Sequence, residues 1–230
     1  MSGPTRSLPR YARGLFAPIA PDYEQWARLL SLGQDPRWRS AMVEGLELPA
    51  GSKVLDVAAG TGSITRLLQA KDLDVVSVDQ SDAMLAMAVT AGATGVVSSA
   101  ETLPFPDESF DGVTFGYLLR YVDSVSGCLE ELSRVVRPGG VVGMVEFGRP
   151  AGVWGPPWWA YTRVALPLAG ALIRSGWWEV GRFLGPSIDR FASTHPPAAL
   201  ESEWRGAGLV DVRIRRMSLG GGLVMWGRKA

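Results

Sequence analysis

The sequence predicts an α/β fold, a mostly parallel sheet with helices on both faces, and three observations carry that expectation. From Lys53 to Phe147, short apolar runs alternate with stretches of helical spacing, the pattern of a parallel sheet covered on both sides. The first run, "KVLDVAAG" at Lys53–Gly60, passes directly into small residues, as a buried parallel strand does where it turns into a helix. The last two runs, Leu209–Met217 and Gly220–Lys229, lie close together in the chain, so they are expected to pair antiparallel.

Taken in order, residues 22–47 read as two helices broken at "SLGQDP". Gly33 is expected to end the first, Asp35 to cap the second, and Pro36 to take its first position. After the Lys53–Gly60 strand, Ser63–Ala70 has helical spacing, and Asp74–Gln80 is a second strand ending in an acid. Ser81–Gly92 is a helix with Ser81 as its cap. Gly95–Ser99 is a short third strand and Ser109–Tyr117 a fourth. Ser124–Gly140 is expected to be one helix stopped by Pro-Gly-Gly, followed by a fifth strand at Val141–Phe147. Within it, Cys128 falls at a core position, and Glu130 and Glu131 ahead of Arg134 and Arg137 read as a solvated, charge-paired face. An apolar insertion fills Gly148 to about Pro197, with His195 as a loop residue, and Ala198–Ala207 is a last helix. Disorder is expected only in the first dozen residues.

Composition narrows the function. The 230 residues carry equal numbers of acidic and basic side chains and a formal net charge of zero, which gives no electrostatic footprint for nucleic acid. Cys128 is the single cysteine, which fits a reducing compartment. The first thirty residues contain Arg6, Arg10, Arg13, Pro18 and Pro21 and no long apolar run, so a cytoplasmic protein without a signal peptide is expected. The one stretch that resembles a membrane span is "WGPPWWAYTRVALPLAGALIRSGWW", which holds five of the nine Trp residues. Its charge-free core, Val164 to Ile173 between Arg163 and Arg174, is about half of the ~20 residues that a spanning helix needs. Pro167 and Gly170 weaken a straight helix further. No cluster of His, Cys, Asp or Glu has metal-ligand spacing.

The chemistry concentrates at "DVAAGTG", Asp56 to Gly62, at the carboxyl end of the first strand. Glycines there let backbone approach a ligand, and ligands of open α/β sheets bind at that edge. Asp79 ends the second strand seventeen residues past Gly62, where a carboxylate can accept hydrogen bonds from both ribose hydroxyls. The spacing points to an adenosine-containing cofactor. A dinucleotide is disfavoured, because Gly60 and Gly62 fit the G-x-G-x-x-G fingerprint but Thr65 stands at its last position.

The pattern from Asp56 resembles motif I of class I S-adenosylmethionine-dependent methyltransferases, and "VDQSDAML" resembles their motif II. Four further stretches, "FAPIAPDYEQWARLLSLGQDPRWR", "SAETLPFPDESFDGVTFGYLLRYVD", "EFGRP" and "GGGLV", are similar to the menaquinone and ubiquinone biosynthesis C-methyltransferases. The resemblance implies a Rossmann-like class I methyltransferase fold with a seven-stranded sheet and an antiparallel last strand, as a single domain over residues 1–230. Residues 15–50 would form an N-terminal helical cap, 51–147 the cofactor half, 148–197 an acceptor-side insertion, and 198–230 the terminal helix and strand pair. The implied function is methylation of a ring carbon of a prenylated hydroquinone, most simply demethylmenaquinol. The alternative is another hydrophobic small molecule or secondary metabolite.

Carried over residue by residue, the resemblance places S-adenosyl-L-methionine against Asp56, Ala58, Gly60, Thr61, Gly62, Asp79, Gln80, Ser99, Ala100, Glu101 and Thr114. Arg120, flanked by Tyr117 and Tyr121, is the candidate for stabilising a phenolate, and Tyr23 is expected to close over the site. The Trp-rich insertion is expected to lie over the carboxyl edge of the sheet, with Trp158, Trp159, Tyr161, Trp177 and Trp178 against a hydrophobic tail or a bilayer interface. Reversible contact with the cytoplasmic membrane face and a homodimer are further expectations. Three departures stand out on what is expected to be the acceptor side: Tyr121 where the family has Asn, Ala27 where it has Asn, and Gly227 where it has His.

Overall fold

The computed structural model describes residues 8–90, 92–173 and 176–230. Seven strands form one sheet: Lys53–Val57 (β1), Asp74–Asp79 (β2), Thr94–Val97 (β3), Phe110–Gly116 (β4), Val136–Phe147 (β5), Leu209–Met217 (β6) and Gly222–Lys229 (β7). Their order is β3-β2-β1-β4-β5-β7-β6. The first five are parallel, and β7 runs antiparallel to both β5 and β6. The strand order therefore reverses between β1 and β4, and their carboxyl ends open the crevice in which such sheets bind ligands.

Alternation along the strands builds two cores. Leu55, Val113, Phe115, Met144 and Met225 face Leu129 and Leu132 of helix Val125–Arg134 (α6) and Leu200 and Trp204 of helix Pro197–Gly206 (α10). Here the order of the chain is Leu8–Phe16 (α1), Tyr23–Leu30 (α2), Gln34–Glu44 (α3), Ser63–Gln69 (α4), Asp82–Thr90 (α5), α6, Gly155–Ala160 (α7), Leu166–Ile173 (α8), Trp177–Thr194 (α9) and α10. On the other face, Val54, Val141, Val145, Val224 and Trp226 pack against Trp38, Met42 and Leu46 at α3 and against Ile64 and Leu68 of α4. A third, smaller core joins the N-terminal cap to the insertion through Leu15, Ile19, Trp177 and Val180.

Four expectations change. The cap starts earlier than residue 15, because α1 already begins at Leu8, inside the tract expected to be disordered. Asp35 does not cap α3; Gly33 takes the cap position in a left-handed conformation, and Asp35 is a buried residue of the first turn paired with Arg39. The helix α6 stops at Arg134, well before Pro-Gly-Gly. The carbonyls of Arg134 and Val135 accept from the N–H groups of Glu108 and Phe110, at 3.0 Å each, so the chain enters the sheet there. The turn at Gly139 becomes a shift of register between β4 and β5 instead. Of the charge-paired face, Glu131 does bond Arg134, but Arg137 reaches across to Asp111. Arg6 and Arg174 lie outside the described residues.

Beneath the crevice sits a fully buried carboxylate. Asp56 of β1 stands beside Thr114 of β4 and Ser77 of β2 in register. Its Oδ1 accepts from Thr114 Oγ1 at 3.0 Å and its Oδ2 from Thr65 Oγ1 of α4 at 2.7 Å. Burial pushes this carboxyl from the ordinary 3.8 up to about 6, with the Thr65 and Thr114 hydroxyls opposing the shift. The raised value means that this group's contribution to stability is full below the unfolded carboxylate range and falls away as pH rises through about 6.

Thr65→Val removes one donor to this carboxylate and is expected to destabilise the fold by about 1–3 kcal/mol where Asp56 is ionised. The loss should be smaller well below pH 6, where Asp56 is neutral; urea unfolding on the two sides of that pH checks the difference. On the other face, a Cβ at Gly45 would stand 2.5 Å from the Trp226 ring, which Met42 holds through a 2.8 Å bond from Nε1. Gly45→Ala is therefore expected to cost about 1–3 kcal/mol by overpacking, read as a lower urea midpoint.

Candidate active site

The first of two adjoining cavities, about 120 Å³, opens where β1, β2 and β4 end. Ala58 follows β1 with φ 54° and Gly60 with φ 57°, so the loop turns back on itself immediately after the strand. Holding alanine in the left-handed region costs roughly 1–3 kcal/mol, a strain that functional loops retain. Gly60 N donates to Asp79 Oδ2 and Ser81 N to Asp79 Oδ1, each at 2.8 Å. Burial pushes the Asp79 carboxyl above the ordinary carboxylate range, opposed by those N–H groups. Each of its oxygens retains a lone pair for a further donor.

Ala58, Gly60, Thr61, Asp79, Gln80, Ser99, Ala100 and Glu101 all line this cavity. Asp56, Gly62 and Thr114, expected among the contacts, stand behind its wall. Asp56 and Thr114 bond each other in the sheet. Gly62 lets α4 and α5 approach, since a Cβ there would lie 2.9 Å from that of Ala88. Sequence reasoning missed Glu24 of α2, whose Oε1 accepts from Thr61 Oγ1 at 2.7 Å, Ser63 Oγ at 3.0 Å, and Arg66. Burial pushes the Glu24 carboxyl up, but the bonds from Arg66 and Thr61 outweigh it and hold it below its usual range.

The second cavity, about 410 Å³, lies between the cap, the end of the sheet and the insertion. Tyr23, Trp158, Tyr161, Trp177, Tyr117, Arg120 and Tyr121 line it, so the structure gathers the expected acceptor-side residues in one place. Trp159 and Trp178 are the exceptions. Trp159 is 57% exposed on the outer surface, and Trp178 lies outside under the Arg182 guanidinium. Trp158 and Trp159 are consecutive on α7 and Trp177 and Trp178 on α9, and consecutive positions of a helix diverge, so neither pair can face the cavity together. Ala27 and Tyr121 line the cavity, whereas Gly227 sits in the β7 core against Trp204. The expectation that position 227 borders the acceptor is therefore corrected: a side chain there would meet the Trp204 ring at 3.1 Å. Phe16, Tyr23, Tyr117 and Tyr121 line both cavities and form the wall between them.

Two buried ionic groups border this wall. Arg120 follows β4, and its Nε donates to Glu146 Oε1 of β5 at 2.9 Å, both side chains being 1% exposed. Its Nη1 donates to Ser187 Oγ of α9 at 2.7 Å. Burial works against the Arg120 charge, but Glu146 and Tyr121 outweigh it and keep the guanidinium protonated. The second group is Asp35, whose Oδ1 accepts from Arg39 Nε at 2.8 Å and from the Tyr117 hydroxyl at 2.5 Å. Tyr117 itself has φ 59°, fixed by an N–H bond to the Val145 carbonyl at 2.8 Å. Burial holds Tyr121 up at about 12 and Tyr117 well above its ordinary 10, so both are neutral phenols. Asp35, Arg39 and Glu146 were missed because their spacing in the sequence reads as a helix start and a strand end. Among the described residues, no group of three or more His, Cys, Asp or Glu could hold a metal ion.

The ubiE/COQ5 methyltransferase family model matches residues 5–229. The chain is 35% identical to the ubiquinone/menaquinone biosynthesis C-methyltransferase UbiE of Desulfotalea psychrophila, over 94% of this chain and 89% of that protein. It is 36% identical to the demethylmenaquinone methyltransferase of Thermus thermophilus, over 90% and 96% respectively. Among solved structures it is similar to a Thermotoga maritima S-adenosylmethionine-dependent methyltransferase described as a possible histamine N-methyltransferase. That match has a TM-score of 0.66 at 20% identity and covers 94% of this chain and 99% of the other. A Haemonchus contortus phosphoethanolamine N-methyltransferase in complex with S-adenosyl-L-methionine gives a TM-score of 0.60 at 15% identity, over 83% of this chain and 52% of that one. Over nearly its whole length, then, this chain belongs to the ubiE/COQ5 methyltransferase family of S-adenosylmethionine-dependent enzymes.

Proposed function

We propose that this protein methylates a ring carbon of a prenylated hydroquinone, with demethylmenaquinol as the acceptor. The observation that carries the reading is the pair of cavities with a shared aromatic wall. One is built on the glycine loop and carries polar groups from it, from Asp79 and from Ser99–Glu101; the other is larger, almost wholly apolar, and has Arg120 and Tyr117 as polar groups near the wall.

The residues of the smaller cavity fit S-adenosyl-L-methionine. Asp79 offers acceptors for a ribose, the Gly60–Thr61 backbone and the Ser99–Glu101 segment offer polar partners for the remaining ends, and the wall presents electron-rich rings to a sulfonium. When bound, that cofactor supplies an electrophilic methyl group. The protein's own task is to hold the acceptor carbon in line with it and to exclude water. Arg120 is fixed by Glu146 and Ser187, and its remaining N–H groups are proposed to stabilise negative charge on the ring oxygen.

The acceptor is water-insoluble, and the surface around the larger cavity suits contact with a lipid surface. Leu32, Trp154 and Leu219 line the cavity and are largely exposed. Near them in the chain stand Arg28, Arg149, Arg215 and Arg216, while Arg163 and Arg213 are paired with Asp189 and Glu47. An apolar rim with basic residues close by in the chain fits reversible docking on an anionic bilayer. No helix among the described residues is long and apolar enough to cross a membrane. A homodimer covering the same rim is the competing occupant.

Label from S-adenosylmethionine is expected to enter a demethylmenaquinol analogue under reducing conditions, with Arg120→Met lowering the rate by about 10²–10³. An unlabelled quinol overturns the acceptor. It would favour another hydrophobic molecule, a reading supported by Tyr121 and Ala27 at positions where the family has Asn. In vesicle flotation, the protein is expected to rise with anionic but not neutral vesicles. The combined Leu32→Ser, Trp154→Ala and Leu219→Ser substitutions should abolish this, whereas a concentration-dependent dimer without flotation overturns the docking.

A further inference from the structure

Methylation of a hydroquinone ring carbon must release one proton, and the larger cavity holds few groups able to take it. Among its lining residues Asp35 is the sole carboxylate and Arg120 the sole cation; the others are apolar, hydroxyl, phenol, indole or amide groups. Arginine does not deprotonate in proteins. Glu146 lines neither cavity, and His195 is bonded to Glu203.

We propose that Asp35 is the proton acceptor for the ring hydroxyl and that the Tyr117 hydroxyl relays the proton to it. The assignment rests on the hydroquinone reading above. Tyr117 already donates to Asp35 Oδ1, and no described residue donates to Oδ2. Asp35 keeps 8% exposure and borders the cavity. Tyr117 lines both cavities. A ring oxygen bonded to Tyr117 therefore lies at the shared wall, with its neighbouring ring carbon next to the cofactor cavity.

The steps balance without an oxidant. The ring hydroxyl passes its proton to Tyr117 Oη while Tyr117 passes its own to Asp35, so no phenolate on Tyr117 accumulates. The carbon beside the resulting ring phenolate forms the bond to the methyl group as the C–S electron pair stays on sulfur. The methylated carbon then loses its hydrogen as a proton, the ring oxygen regains one, and aromaticity returns. One proton in total leaves to solvent. The charged and titratable groups that face Asp35 are Arg39 on its own helix, Tyr117 at the end of β4 and Tyr23 on α2, with Arg120 and its partner Glu146 beyond them. Arg39 supplies the compensating charge that a buried carboxylate requires.

The test is single-turnover methyl transfer from S-adenosylmethionine to a short-chain demethylmenaquinol, under anaerobic reducing conditions and across a range of pH. S-Adenosylhomocysteine affinity is measured in parallel by calorimetry. Asp35 must be ionised to act, so the wild-type rate should rise with pH along an acid limb. Asp35→Asn is expected to lower the rate by about 10²–10⁴ and to abolish that limb, while the calorimetric affinity stays near wild type. Formate should restore part of the rate to Asp35→Ala. Tyr117→Phe, which keeps the Asp35–Arg39 pair, carries the test if the Asp35 variants do not fold, and should be at least about tenfold slower. An Asp35→Asn rate within about threefold of wild type overturns the proposal, as does a lower rate with the acid limb intact, which would make Asp35 only a brace. A wild-type protein that leaves the quinol unmethylated overturns the acceptor reading and this assignment together. It is recognised by the absence of any rate for the variants to lower.

Discussion

The bond between Tyr117 and Asp35 holds the site in its shape. It ties the end of β4, part of the sheet, to α3, part of the N-terminal cap. Arg39 locks the same carboxylate oxygen from one turn along the helix. The left-handed backbone at Tyr117 is what turns its ring toward that helix, and the Val145 carbonyl fixes the turn. Without that contact the wall shared by the two cavities would lose its central ring, and the cap would keep its bonds between Glu24 and the glycine loop and between Ser218 and both Trp38 and Gln34.

An apolar cavity has little water with which to solvate charge, so each ion at its edge is matched to a partner. Arg120 has Glu146, and Asp35 has Arg39. Such pairs contribute little net stability, because desolvation offsets much of the attraction, but removing one partner strands the other. Their value here is positional. A guanidinium held by Nε and Nη1 on different elements, β5 and α9, has a fixed plane, and Tyr121 and Phe147 stack on it at 4.9 and 5.2 Å. The insertion thus takes part in placing the cation as well as in roofing the cavity.

Much of this was legible in the sequence, for reasons that differ from residue to residue. The strands β1 and β2 are short Val-rich runs because they are buried on both faces, and that composition is visible without a structure. Asp79 and the glycine loop were legible because a ligand-binding edge needs small residues and an acid at fixed spacing. Asp56 and Thr114 follow the same local pattern but turn inward, and no one-dimensional signal separates a carboxylate that meets a ligand from one that braces the loop beneath it. Asp35 reads as a cap since Asp before Pro at a helix start usually is one; its partner Tyr117 is distant in the chain. The end of α6 is not legible because the groups that satisfy the carbonyls of Arg134 and Val135 come from Glu108 and Phe110, where the chain enters β4. Trp159 was placed on the cavity by composition, whereas the helical period sends it outward.

Tyr23 and Glu24 are neighbours on α2, and they look in different directions. Tyr23 belongs to the wall between the cavities, and Glu24 grips Thr61 and Ser63 of the glycine loop. A nucleotide settling against Thr61 would act on the Glu24 grip, and through one peptide unit on the ring that borders the acceptor. If cofactor and acceptor occupy the two cavities as proposed, their binding is linked: whatever factor the cofactor gains from the acceptor, the acceptor gains from the cofactor. Once the methyl group has gone, the spent nucleotide no longer carries a positive charge opposite those rings, and the same linkage would work in reverse, loosening the hold on the methylated ring as the nucleotide departs.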